Sequence, residues 1–122
     1  MFYCCDGLSE VILKGLDTKN VKKAGQMFYG CSSLSNLDLS MLDFSKTEEM
    51  TSMFNGMENL VLINLDNFNT QNVVTMSYMF NGCFKLKNIN LTQIKTNKVK
   101  SMISMFTDCY SLENIDISMF NL

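Results

Sequence analysis

Five cysteines are the most reactive side chains in this 122-residue sequence, and four recur in one phase. Cys5, Cys31, Cys83 and Cys109 are separated by multiples of one fixed interval, the step from Cys5 to Cys31, and Met57 takes the remaining place. If residues one period apart lie side by side at about 5 Å, the Cys5–Cys31 and Cys83–Cys109 pairs fall within disulfide range. The alternative is a row of buried thiols acting as small apolar fillers, which Met57 favours because Met packs there and forms no disulfide. Cys4-Cys5 lacks the C-x-x-C spacing of a zinc site, and the chain has no His to complete one, so no metal is expected. Asp38 and Asp116 share a phase, but three periods separate them, roughly 14 Å by strand spacing, too far for paired acid and base work. All ten cations are Lys, so the usual general base and the usual bidentate anion clamp are both missing. Neither a nucleophile triad nor a phosphate loop is present, and neither an enzyme nor a cofactor is expected.

Amides and carboxylates suit binding better. Numbered from each Met-Phe, position 10 after Glu10 holds Asn36, Leu62, Asn88 and Asn114; position 12 after Ile12 holds Asp38, Asn64, Asn90 and Asp116; Asp66 stands at position 14. Positions 11 and 13 are apolar, so in a strand these nine residues point outward. They form a candidate face for a protein or glycan, with Leu62 as its apolar anchor. The competing reading is a solvated sheet face whose Asn side chains bond one another up the stack.

The elements that hold this face repeat. Met-Phe falls at Met1, Met27, Met53, Met79 and Met105, with the same interval every time and no insertion. Position 8 is Leu8, Leu34, Leu60, Leu86 and Leu112. Apolar residues at 11 and 13 have the period of a half-buried strand. Those at 21, 24, 27 and 28 have helical spacing. Thr18, Thr70 and Thr96 stand where helix N-caps belong, Ser45 and Glu48 have capping-box spacing, and Gly30, Gly56 and Gly82 suit helix C-termini. The expected fold is therefore an α/β solenoid, a leucine-rich-repeat-like stack of five 26-residue strand–helix coils with a parallel sheet on one face. It is a single repeat domain over 1–122, with units 1–26, 27–52, 53–78, 79–104 and an incomplete 105–122. Met columns belong in its core, and Lys22 and Lys23 should lie beside Glu48 and Glu49 on a solvated face.

The segments LSEVILKGL, LSNLDLSML, LVLINLDNF, LKNINLTQI and LENIDISMF fit L-x-x-Φ-x-Φ-x-x-Φ. This resembles the leucine-rich repeat, departing at the last position, where Leu, Ile or Phe replaces Asn. The longer phrase MFYGCSSLSNLDLSMLDFS resembles the BspA-like surface-protein repeats, also found in mycoplasma surface lipoproteins. That resemblance covers essentially the whole chain. It implies a cell-surface protein engaged in adhesion or partner binding.

Charge and composition narrow the field. A net charge of −2 and pI near 5.0 give no nucleic-acid footprint. No apolar run approaches the roughly 18 residues of a membrane span, and the first residues do not read as a signal peptide. Met1-Phe2 is already in phase with the repeat, so a piece of a longer protein is expected. Neither end shows the polar cap that repeat stacks need, which predicts end-to-end association, a longer parent or frayed termini. Asn90-Leu91-Thr92 fits the glycosylation sequon, a match expected by chance.

Overall fold

The computed structural model of the chain describes residues 1–121. Phe2, Phe28, Phe54, Phe80 and Phe106 form a column of stacked rings, with successive centroids 5.1 to 6.0 Å apart. Each Met-Phe therefore begins a fresh lap, and like residues of successive laps adjoin. A continuous core follows from this stacking. Leu34, Leu60 and Leu86 are fully buried in one column, with Leu39 and Leu65 in another and Met50, Met53, Met57, Met76 and Met79 alongside. Leu8 and Leu112, in the outer laps, are half-buried.

The path within each lap differs from the expected strand and helix. Among the described residues there is no helix. The strands are β1 (Asn36–Asp38) and β2 (Leu62–Asn64), paired in parallel with Leu37 opposite Ile63. Asn88 and Asn114 add an isolated parallel bridge. The α/β solenoid of five strand–helix coils is thus corrected to stacked laps of turns with two short strands.

The backbone N–H groups find acceptors that a helix would not offer them. Ala24, Gln26, Phe28 and Gly30 donate their N–H groups to Glu49, Thr51, Met53 and Asn55 of the next lap, at 2.8 to 3.0 Å. Met27, Tyr29 and Cys31 donate instead to Ala24, Gln26 and Phe28 of their own lap, at 3.1 to 3.2 Å. The next lap repeats the pattern, with Met50, Ser52, Phe54 and Gly56 donating to Thr75, Ser77, Met79 and Asn81. An α-helix needs every N–H for the residue four before it. Here alternate N–H groups leave for the neighbouring lap, and the rest close four-residue turns by bonding the carbonyl three residues back. Such a short segment is a marginal helix on its own, so cross-lap bonding prevails.

Left-handed residues complete this path. Gly30, Gly56 and Gly82 have φ of 69°, 74° and 72°, and Cys4 and Asp108 adopt the same region at 52° and 60°. Gln26, Ser52, Tyr78 and Ser104, each immediately before a Met-Phe, are also left-handed. The glycines therefore fulfil the conformation expected of them, but in turns. A Cβ at Gly56 would meet Gly30 backbone atoms at 3.6 Å, an ordinary contact, so any penalty is conformational. Gly56→Ala is expected to cost about 1–2 kcal/mol. Gly7→Ala, at a site with open space, should be near neutral; urea unfolding of both variants checks the contrast.

The expected caps have other partners. Thr18 Oγ1 donates to the Asp43 carbonyl at 2.8 Å and accepts from the Asp43 N–H at 2.9 Å. Thr70 does the same with Lys95, at 2.8 and 2.7 Å, and Thr96 accepts from the Asn121 N–H at 2.6 Å. These buried hydroxyls link laps rather than begin helices. The second lap exchanges the two residue types, with buried Phe44 at position 18 and Thr47 Oγ1 donating to the Val21 carbonyl at position 21. Ser45 and Glu48 form no capping box. The Ser45 N–H bonds Asp43 Oδ1, and the Glu48 N–H bonds the Lys22 carbonyl.

Candidate functional site: an outward polar face

The β1–β2 pairing turns Leu37 inward and places position 10 and 12 side chains outside. Asn36, Asp38, Leu62, Asp66, Asn88, Asn90, Asn114 and Asp116 are exposed, and Asn64 is half-buried. A cleft of about 590 Å³ runs across the first three laps. It brings Asn36, Asp38, Leu62 and Asn64 together with Glu10. Asp66, Asn88, Asn90, Asn114 and Asp116 lie outside that cleft.

The two columns differ in what they already do. Asp38 Oδ1 accepts the Ser40 N–H at 2.9 Å, Asn64 Oδ1 the Asp66 N–H at 3.0 Å, Asn90 Oδ1 the Thr92 N–H at 3.1 Å, and Asp116 Oδ1 the Ser118 N–H at 2.9 Å. Every Asp and Asn of this column closes a turn two residues on, as Asx side chains do after strands. The hydrogen bonds from Ser40 and from Ser118 hold the Asp38 and Asp116 carboxyls below the usual range. Position 10 carries no such duty. Leu62 is 63% exposed, and Asn36 makes only a 3.4 Å contact to Ser35 Oγ. Position 10 is therefore the column with free side chains, a distinction invisible in residue type alone.

The cysteines are all free thiols. Cys31, Cys83 and Cys109 direct Sγ at the carbonyls of Phe2, Phe54 and Phe80 one lap back, at 3.0, 3.3 and 3.1 Å. Burial pushes all three thiols up from their ordinary pKa, and Cys83 is fully buried. A raised folded pKa favours the neutral thiol. Its stabilising effect is complete below the unfolded value near 8.5 and is lost as pH rises above it. The urea midpoint is accordingly expected to fall between pH 8 and pH 10, and less steeply in Cys83→Ala. Among the described residues no group of His, Cys, Asp or Glu is arranged to hold a metal. No helix among them is long and apolar enough to cross a membrane.

Sequence reasoning missed an amide–lysine relay. Asn59 and Asn72 donate to the Ser32 and Ser45 carbonyls of the preceding lap, each at 2.7 Å. Their Oδ1 atoms accept from Lys85 and Lys98 of the following lap, at 2.6 and 2.7 Å. Lys46 reaches Asn20 Oδ1 likewise, at 2.9 Å. The signal was present as an Asn followed by a Lys one period later. By contrast, the expected Lys22–Glu48 pair spans 4.0 Å between side chains 72% and 58% exposed, a weak contact.

These features define a repeat protein whose laps share one core and present polar columns outward. The chain matches the family described as "Mycoplasma protein of unknown function, DUF285" over residues 1–61 and again over 49–122, and it belongs to that family. No curated protein and no solved structure matches it.

Proposed function

We propose that the chain is a non-catalytic binding module that captures a protein or glycan through its outward strand face. The observation that carries this reading is the position 10 column, where Asn36, Leu62, Asn88 and Asn114 are exposed, beside a cleft of mixed polar and apolar lining. Leu62 supplies the apolar anchor and the amides supply directional donors and acceptors. Resemblance to BspA-like surface repeats, together with membership of a Mycoplasma family, supports a cell-surface setting and a role in adhesion. In the test, Leu62→Lys/Asn88→Lys is compared with the parent chain on a panel of purified extracellular-matrix proteins and neutral oligosaccharides. Neither residue closes an Asx turn, so the unfolding midpoint should stay unchanged. The parent is expected to bind at least one panel member, and the variant to lose it. Equal binding by both, or none by either, overturns the reading.

A second reading is self-association through the outer laps. Ile115 and Ile117 are each 41% exposed, whereas Leu37 and Leu39, the same columns in an inner lap, are buried. This surface would accept a further lap of matching columns. Light scattering at several concentrations tests it, and a constant mass would sink it.

A further inference from the structure

The charges are segregated by position within the lap. Positions 17 to 23 hold seven lysines against four carboxylates, while all other positions hold three against eight. One edge thus carries +3 and the remainder −5, which together make the net −2. On the basic edge a groove of about 400 Å³ runs across four laps, lined by Lys22, Lys46, Glu48, Asn72, Val74 and Lys98. Two of its three ammonium groups are held in place. Lys46 bonds Asn20 Oδ1 and Lys98 bonds Asn72 Oδ1, at 2.9 and 2.7 Å. An ammonium has three donors, so each keeps others for a ligand. Ordinary surface lysines lose side-chain entropy on binding; these have already lost part of it.

We propose that this groove binds a linear anionic polysaccharide bearing one acid group per disaccharide. Lys46 and Lys98 occupy the same position two laps apart, which places them about 10 Å apart along the stack. That spacing suits a polymer whose carboxylates alternate with neutral sugars. Half-exposed Val74 offers apolar area for a sugar face, and the Asn72 amide lies beside it. Nucleic acid fits poorly. Its duplex carries a charge every ~1.7 Å of axis, so most phosphates would stay unmatched and some would face Glu48. The groove also has no Arg and no aromatic ring.

The probe is hyaluronan oligosaccharides, with dextran, single-stranded DNA and anionic phospholipid vesicles as comparisons, each titrated by calorimetry at two salt concentrations. Hyaluronan is expected to bind, more weakly at high salt. Lys46→Gln/Lys98→Gln should weaken it at least tenfold with the unfolding midpoint little changed. Glu48→Gln should bind roughly two- to fivefold tighter, the size of a removed surface charge contact. Leu62→Lys/Asn88→Lys should leave it unchanged, which separates this groove from the strand face. No hyaluronan binding at low salt, equal binding of dextran, tighter binding of DNA or vesicles, or indifference to the lysine pair would each overturn the assignment.

Discussion

Replacing Phe54 by Ala is expected to lower the free energy of unfolding by about 3–5 kcal/mol, a large share of what a domain of this size possesses. Phe54 is fully buried in the middle lap. Its ring lies 6.0 Å from that of Phe28, 5.1 Å from Phe80 and 6.4 Å from Phe68. The cost of such a truncation grows with the cavity that remains. Collapse is resisted here because the backbone is clamped on both sides. The Phe28 N–H bonds the Met53 carbonyl and the Phe54 N–H bonds the Met79 carbonyl, both at 2.9 Å. Phe106 occupies the same column in an outer lap and is half-buried. Phe106→Ala should therefore cost clearly less. Urea unfolding followed by circular dichroism gives both values; equal losses would mean that the rings do not act as one stacked column.

Thr70→Val should also be costly, for a polar reason. The two side chains are nearly the same size, so packing is kept and only the hydroxyl is lost. That hydroxyl serves both the carbonyl and the N–H of Lys95. Each such bond contributes about 0.5–1.5 kcal/mol net, so losing both from this buried hydroxyl is expected to cost about 1–3 kcal/mol. Thr70→Ser keeps the hydroxyl and should recover most of the loss. In the same comparison Val73→Thr, at position 21, tests the exchange seen in the second lap, where Thr47 serves a carbonyl. If Thr70→Val and Thr70→Ser unfold at the same urea concentration, the hydroxyl bridge contributes nothing.

The outward side of the face was legible because positions 11 and 13 are apolar, and a period of two then turns positions 10, 12 and 14 the other way. Leu37 and Leu39 are buried while Asp38 is exposed, as alternation requires. What residue type could not reveal is that Asp38, Asn64, Asn90 and Asp116 close their own turns, whereas Asn36 and Leu62 do not. Both uses of an amide or carboxylate look alike in one dimension. The thiol column was likewise visible, but its state was not. Reduced thiols directed at carbonyls one lap back emerge only when the laps are set side by side.

Read alone, the chain determined its period, its buried columns and its outward columns. Those depend on side-chain polarity recurring once per lap, and burial follows wherever such laps stack. The tertiary structure decided the path within the lap. Apolar residues three apart serve an α-helix and a succession of four-residue turns equally well. The choice between them rests on where the backbone N–H groups of Ala24, Gln26 and Phe28 find acceptors, and those acceptors, on Glu49, Thr51 and Met53, belong to the next lap.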